Sequence, residues 1–268
     1  MRRSRKTDWM RRLVRENSLS SNDFILPIFV TEGKNKKIPI KTMPEVFRYS
    51  VDKLGQIVDR ALKLKIPMVA IFPQTNSGLK DSYGSEALNE NNLVCKAIRK
   101  IKDKYRNEIG IMTDVALDPY TSHGHDGILK NKRILNDETI EILIQQSLLQ
   151  AQMGSDVIAP SDMMDGRIGE IRQELDNNSL KDIKILSYAV KYASSFYGPF
   201  RDAVGSKKSL KGDKKTYQMD FSNSEEALRE VALDIKEGAD LVMVKPGLPY
   251  LDIIKKVKEN FKIPVLAY

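Results

Sequence analysis

Two lysines stand where an amine can become a nucleophile. Lys245 closes the run Leu241-Val242-Met243-Val244-Lys245-Pro246, in which four apolar residues lead up to the amine and a proline ends the strand. Lys191 lies in Ser187-Tyr188-Ala189-Val190-Lys191-Tyr192-Ala193, again among apolar and aromatic neighbours. Withdrawal from water disfavours the ammonium form, lowers the pKa and leaves the free amine that attacks a carbonyl to form a Schiff base. If both lysines face one mouth, each ammonium makes the other costlier to protonate, so the pair suits this chemistry better than either alone. The competing reading is that each lysine runs its stem over apolar surface and carries its head to water, with the two pointing apart.

Acidic residues accompany the lysines. Asp114, Asp118 and Asp126 fall in one stretch, Asp114 to Gly127, and Ser161 and Asp162 follow another apolar run. Carboxylates such as Asp118 and Asp126 suit magnesium or a monovalent ion, or act without metal as proton-handling and orienting groups beside the lysines. No cysteine lies in that stretch, and the chain's single cysteine is Cys95. A thiolate zinc site is therefore not expected, nor is a catalytic metal. His123 and His125, the two histidines, lack a third protein ligand for zinc, and anchoring their loop is the expected role.

The elements that must position these groups read as strands alternating with helices. Apolar, β-branched runs occur at Phe24 to Val30, Met68 to Phe72, Ile109 to Leu117, Asp156 to Ala159, Lys184 to Tyr188, Asp240 to Val244 and Ile263 to Tyr268. Helical periodicity appears at Leu54, Ile57, Val58, Ala61 and Leu62 after a possible Ser50 cap, at Ile140 to Ala151 after Asn136, and over Glu225 to Lys236. Nearly continuous apolar strands separated by helices imply an α/β fold with parallel pairing. The turn after the first strand offers only Glu32-Gly33-Lys34, which is no dinucleotide fingerprint. Asp114, Asp118, Ser161, Asp162, Lys191 and Lys245 instead gather at the C-terminal ends of strands, where a TIM (β/α)8 barrel keeps its active site. The expected organisation is an N-terminal arm over residues 1–20 and a barrel over residues 21–268. Seven strands are one short of eight, so the last strand-helix portion is expected to be missing from this chain. The connections Pro119 to Asn136 and Pro199 to Met219 are too long for ordinary turns and read as binding loops.

Composition narrows the classes. With 268 residues and 41% hydrophobic content the chain can bury one sizeable core. One cysteine permits no intrachain disulfide, and a reducing cytoplasm is the simplest compartment. No apolar run is long enough for a signal peptide or a membrane span. The net charge of +8 gathers at Arg2, Arg3, Arg5, Lys6, Arg11, Arg12 and Arg15, and at Lys207, Lys208, Lys211, Lys214 and Lys215. The first cluster lacks the interleaved aromatics of a nucleic-acid stacking platform and reads as a solvated or subunit-wrapping arm.

Longer motifs carry a family resemblance. Lys191-Tyr192-Ala193-Ser194-Ser195-Phe196-Tyr197-Gly198-Pro199-Phe200-Arg201-Asp202-Ala203 and Met243-Val244-Lys245-Pro246 resemble the two lysine segments of the porphobilinogen synthases. The stretches Asp114 to Gly127 and Ala159 to Arg167 resemble two further segments, and the match runs from about Arg11 to the last residue. The resemblance implies a hydro-lyase of heme biosynthesis that condenses two 5-aminolevulinate molecules to porphobilinogen. Lys245 would form the Schiff base on the propionate side and Lys191 on the acetate side. Arg201 and Lys214 would hold the acetate-side carboxylate, and Ser161, Asp114, Asp118, Asp126, Phe200, Gln218 and Tyr268 would complete the substrate site. Gly205 to Lys215 would form a mobile lid, with Lys207 and Lys208 as solvated charges. Glu230 matches a glutamate that binds an allosteric magnesium, and the family's octamer, with embracing arms, would account for the basic start. No nucleic acid or membrane partner is implied.

The family's pattern continues past Tyr268 with a serine and a tyrosine that hold the propionate-side carboxylate. Without them, the 268-residue polypeptide is expected to be inactive and poorly soluble. Two other readings remain open. One is a class I aldolase-like enzyme with a single essential lysine. The other is a non-catalytic basic barrel fragment that binds nucleic acid or only assembles with intact subunits.

Overall fold

The seven apolar runs form seven parallel strands: six carry buried side chains on both faces, and the last, only partly covered, adds to the edge of the sixth. The structure, a computed structural model, describes residues 1–206 and 210–268, so Lys207 and Lys208 lie outside the described residues. In chain order the elements are α1 (Arg2–Arg5), α2 (Asp8–Leu13), β1 (Ile25–Thr31), β2 (Lys37–Pro39), β3 (Phe47–Ser50), α3 (Leu54–Lys63) and β4 (Met68–Gln74). There follow α4 (Leu93–Tyr105), β5 (Gly110–Val115), the hairpin β6 (Ile128–Lys130) and β7 (Arg133–Leu135), α5 (Asn136–Gln152) and β8 (Val157–Pro160). The rest comprises α6 (Arg167–Asn177), β9 (Lys184–Lys191), α7 (Gly198–Ala203), α8 (Glu225–Glu237), β10 (Leu241–Lys245), α9 (Leu251–Asn260) and β11 (Val265–Ala267).

The main sheet runs β11-β10-β9-β8-β5-β4-β1-β3-β2, with every neighbouring pair parallel except β2 with β3. Seven of these strands curl as a TIM barrel does, and the sheet is not closed between β11 and β1. Alternate residues face opposite sides of a strand. Phe29, Ala70, Phe72, Met112, Ala159, Leu186, Tyr188 and Met243 pack together inside the curl. Val30, Ile71, Val58 and Ile98 belong to one outer layer against the helices, and Ile158, Val190, Val244 and Val231 to another.

One irregularity interrupts the ladder between β9 and β10. Val242 pairs with Ser187 and Val244 with Val190, so β9 holds two residues where β10 holds one. Such a bulge reverses the alternation of the bulged strand beyond it.

Several local expectations are adjusted. β9 continues through Lys191, three residues beyond its apolar run. Ser50 precedes a short 3-10 turn but does not cap it with its side chain, which accepts a hydrogen bond from the Lys36 amide at 2.8 Å. Asn136 is the first residue of α5, and its side chain holds the Asp165 turn. β2 and β3 escape the apolar-run criterion because they are only three and four residues long; β3 pairs with the edge of β1 and β2 with β3. Residues 1–20 carry the two short helices and bury no side chain, with Trp9 59% exposed. Among the described residues no helix is long and apolar enough to cross a membrane.

Candidate active site

The interior of the curl changes from apolar to ionisable in one step along several strands. Met112 is followed on the same face by Asp114, Ala159 by Ser161 and Met243 by Lys245. In β9 plain alternation from Tyr188 would turn Lys191 outward, and the extra residue restores it to the inner face. Lys191 is consequently the register partner of Lys245. Both side chains are buried, at 6% and 5% exposure.

Lys245 is enclosed by rings. Its Nζ lies 4.1 Å from the centre of Phe200, 4.4 Å from Tyr268, 5.1 Å from Tyr188 and 5.8 Å from Tyr197. Among the described residues no carboxylate comes within ion-pairing distance of it. Burial first, and then the neighbouring Lys191 charge, bring its pKa down to about 7, against the opposing pull of Asp114, Asp118 and Asp126. Half of such an amine is free at neutral pH.

Lys191 has different company. Its Nζ donates to the Ser161 carbonyl oxygen and lies 3.4 Å from Asp126 Oδ1. Asp126 in turn pairs with Lys214 at 2.7 Å, and Lys214 reaches Asp118 at 3.4 Å. Burial opposes the Asp126 charge, but Lys191 and Lys214 overcome it and hold this carboxyl well below the usual range. The same two aspartates raise Lys214 despite its burial. Asp118 and Asp126 thus have an ammonium where a cation site was one of two expectations. Asp114 is pushed up to about 6 by burial and by Asp118, with Lys191, Lys245 and a hydrogen bond from Ser161 offsetting part of the rise.

These groups line one cavity. Asp114, Asp118, Ser161, Lys191, Phe200, Arg201, Lys214, Gln218 and Lys245 line it, and its volume is about 20 Å³. That is room for about one water. Lys214, Arg201 and Gln218 also line a larger outer cavity, so they form the wall between the two. Asp126 sits behind the lysines, and Tyr268 stacks on Phe72 and meets Phe200 edge-on over Lys245. A Cβ at Gly127 would lie 2.7 Å from Thr139 Oγ1 and 2.9 Å from Met164 Cε, so the residue after Asp126 must lack one.

Sequence reasoning passed over four contributors. Tyr197 lines the cavity and donates to the Tyr192 and Lys245 carbonyls. Among the described residues the buried Tyr188 hydroxyl has no hydrogen-bond partner. Tyr217 accepts from the Asp126 amide and meets His125 Nδ1 at 3.0 Å. Lys80 lies near Asp118, and burial lowers its pKa. The dense aromatic content of residues 188–200 was the available signal for the first two. His123 and His125 clasp one residue of the Pro199 to Met219 loop: the Lys211 amide donates to the His123 carbonyl, and His125 Nε2 lies 2.7 Å from the Lys211 carbonyl.

Glu230 stands apart, half-buried on α8. Burial raises its pKa, as do Asp234, Asp165 and Glu226, while Arg167 opposes them. Among the described residues no three His, Cys, Asp or Glu side chains converge as a ready metal cage.

The family model for delta-aminolevulinic acid dehydratase matches residues 1–268. The delta-aminolevulinic acid dehydratase of Bradyrhizobium diazoefficiens is 58% identical over 267 residues, covering 100% of this chain and 75% of that protein. That of Methanothermus sociabilis is 51% identical, covering 100% and 82%. Among solved structures, the delta-aminolevulinic acid dehydratase (porphobilinogen synthase) of Toxoplasma gondii, in complex with its product porphobilinogen, superposes with a TM-score of 0.94 at 44% identity. It is matched over 100% of this chain and 76% of its own.

Proposed function

The chain belongs to the delta-aminolevulinic acid dehydratase family, and from that premise we propose that it is a porphobilinogen synthase, a lyase that condenses two 5-aminolevulinate molecules in tetrapyrrole synthesis. The observation that carries this reading is the pairing of two buried lysines in register, one of them with a pKa of about 7. The free amine of Lys245 attacks the ketone of one substrate. The carbinolamine loses its hydroxyl as water and becomes the imine, and Asp114, near neutrality itself, can take and return the proton. Lys191 does the same for the second substrate. The carbon beside the Lys191 imine, as its enamine, then bonds to the carbon held by Lys245, and the amino group of the Lys245-bound substrate bonds to the carbon held by Lys191. Each lysine thereby leaves as a free amine, and the two waters lost overall are those expelled when the imines formed. Arg201 and Lys214 receive the carboxylate of the acetate-side substrate. For this, Lys214 must exchange Asp118 and Asp126 for substrate, because the cavity as closed admits little more than a water. Phe200, Tyr268 and Gln218 wall the site, and Ser161, Asp118 and Asp126 orient the amines.

A magnesium ion fits Glu230. Its carboxylate lines an open groove with Glu226 of α8 and with Asp165, which precedes α6, oxygen donors suited to a hard cation that keeps most of its waters and unsuited to thiolate-bound zinc. Such an ion would supply positive charge away from the lysines and so act allosterically. The exposed Trp9 and Leu13 of the basic arm suit a subunit contact, in keeping with a homo-octamer. A cytoplasmic location completes the reading.

The deciding experiment is reductive trapping with 5-aminolevulinate and borohydride followed by peptide mapping. Adducts on both Lys191 and Lys245 are expected. An adduct on one lysine alone favours an aldolase-like enzyme, and none on either refutes Schiff-base chemistry here. For the metal, Glu230→Gln should abolish any magnesium-dependent change in sedimentation, and an unaltered response refutes the site.

A further inference from the structure

The main chain does not by itself fix Lys191 against the residue it touches. β8 pairs with β9 only at Val157 with Lys184 and Ile158 with Ile185, so the ladder stops well before Ser161 and Lys191. Nevertheless the Lys191 amine donates to the Ser161 carbonyl. The gap between the two strand ends is spanned by side chains. Arg167, 2% exposed, places Nε 3.3 Å from Asp162 Oδ1, donates from Nη1 to the Met164 carbonyl at 3.0 Å, and donates from Nη2 to Ser187 Oγ at 3.3 Å. Ser187 lies four residues before Lys191 on β9 and donates to Asp234 of α8, which is 3.9 Å from Arg167. Asp162, fully buried and adjacent to Ser161, accepts from the Met164 amide at 2.7 Å. It thereby holds a turn in which Met163 adopts a φ of +71°, a conformation costly for a residue with a Cβ.

Stability alone is a poor account of this cluster. A buried ion pair repays its desolvation only partly, and well-packed apolar side chains of similar volume often serve as well or better. What apolar side chains cannot do is set a direction. We propose that Asp162 and Arg167 are positioning residues for Lys191: their buried bridge from the end of β8 to Ser187 of β9 sets the Ser161 carbonyl opposite the amine and so aims the acetate-side Schiff base. The inference rests on the lysine chemistry proposed above, and Lys245, outside this bridge, serves as its internal control.

The test is the same trapping, read as the ratio of Lys191 to Lys245 adduct in the full chain. Asp162→Asn keeps an acceptor for the Met164 amide and removes the charge opposite Arg167. The Lys191 adduct should fall about tenfold or more, as expected for a displacement approaching 1 Å, while the Lys245 adduct stays within about twofold of the unaltered protein. Ser187→Ala, which loses little volume, should shift the ratio in the same direction by a smaller factor, and it decides the matter if Asp162→Asn fails to fold. An unchanged ratio overturns the proposal. So does an equal loss at both lysines accompanied by a lower melting temperature, since that marks a purely structural cluster. Absence of both adducts in the unaltered protein is a different failure, that of the Schiff-base reading itself.

Discussion

Replacing Lys191 with methionine keeps a stem of similar length beside Lys245 and removes the amine. An ordinary lysine is about 0.04% free base at pH 7, whereas Lys245, at about 7, is half free, a gain of about a thousandfold in the reactive form. Burial supplies the larger part and Lys191 the next. Neighbouring strands lie about 4.8 Å apart, so two like charges on register partners repel by about 3 kcal/mol at an effective dielectric of about 20. Asp126, 3.4 Å from Lys191, screens part of this, which leaves about one to two pH units. Losing a like charge favours the ammonium, and the Asp126 charge left behind acts in the same direction. The pH at which Lys245 is half trapped should therefore move upward from about 7 by that amount. At pH 7 the Lys245 adduct should fall about ten- to a hundredfold in Lys191→Met. The measurement is cyanoborohydride trapping with 5-aminolevulinate across pH 5.5 to 9.5, with the Lys245 peptide quantified by mass spectrometry. A midpoint that stays put or moves down, or a parent midpoint near that of a free lysine, would show that the two amines are not electrically coupled.

Three further outcomes follow from the same electrostatics. Lys245→Met should stabilise the fold: the folded pKa lies below the unfolded one, so burying the ammonium costs up to about 5 kcal/mol below pH 7 and nothing above pH 10.5. Urea unfolding at pH 6 and pH 10.5 should show the gain at the first and not the second. Asp126→Asn should destabilise by about 3–5 kcal/mol at pH 7, because it strands Lys191 and Lys214. The folded pKa of this acid is depressed, so its contribution is present above pH 4 and is lost as pH falls toward the folded value; the variant should approach the parent in acid. Cys95, buried in α4 and pushed up to about 11 chiefly by burial, should resist a disulfide reagent at pH 8 until the chain is unfolded by urea, and prompt reaction of the native protein would contradict that burial.

Much of the architecture was legible because it rests on period. Runs buried on both faces must be apolar throughout, and six of the seven strands announced themselves that way, while the seventh is apolar at the open edge. The lysines were legible because an ammonium at the end of such a run stands out. Less visible were features that depend on distance across the fold. β6 and β7 turn through Asn131 and Lys132 at φ of 50° and 62°, a hairpin whose second turn position lacks the usual glycine. Asp118 and Asp126 read as a cation site or as orienting groups from composition, and only the fold places Lys214, 88 positions beyond Asp126, between them. Asp162 was visible as a polar residue at a strand end, but nothing local ties it to Arg167, Ser187 and Asp234 on three different elements.

The extra residue in β9 gives this strand an unusual arithmetic. Its Tyr188 and Lys191 share a face although three positions separate them, whereas Met243 and Lys245 on β10 need two. Side-chain changes at Ala189 or Val190 would disturb packing, whereas shortening the strand there by one would remove the bulge, leave Tyr188 and Lys191 two positions apart as Met243 and Lys245 are, and keep Lys191 opposite Lys245 by plain alternation. In most of the molecule a lost residue can be absorbed by a loop. Here the count between Tyr188 and Lys191 decides whether β9 meets β10 through a bulge or a plain ladder, and so the local twist beside the two amines rather than the side they face.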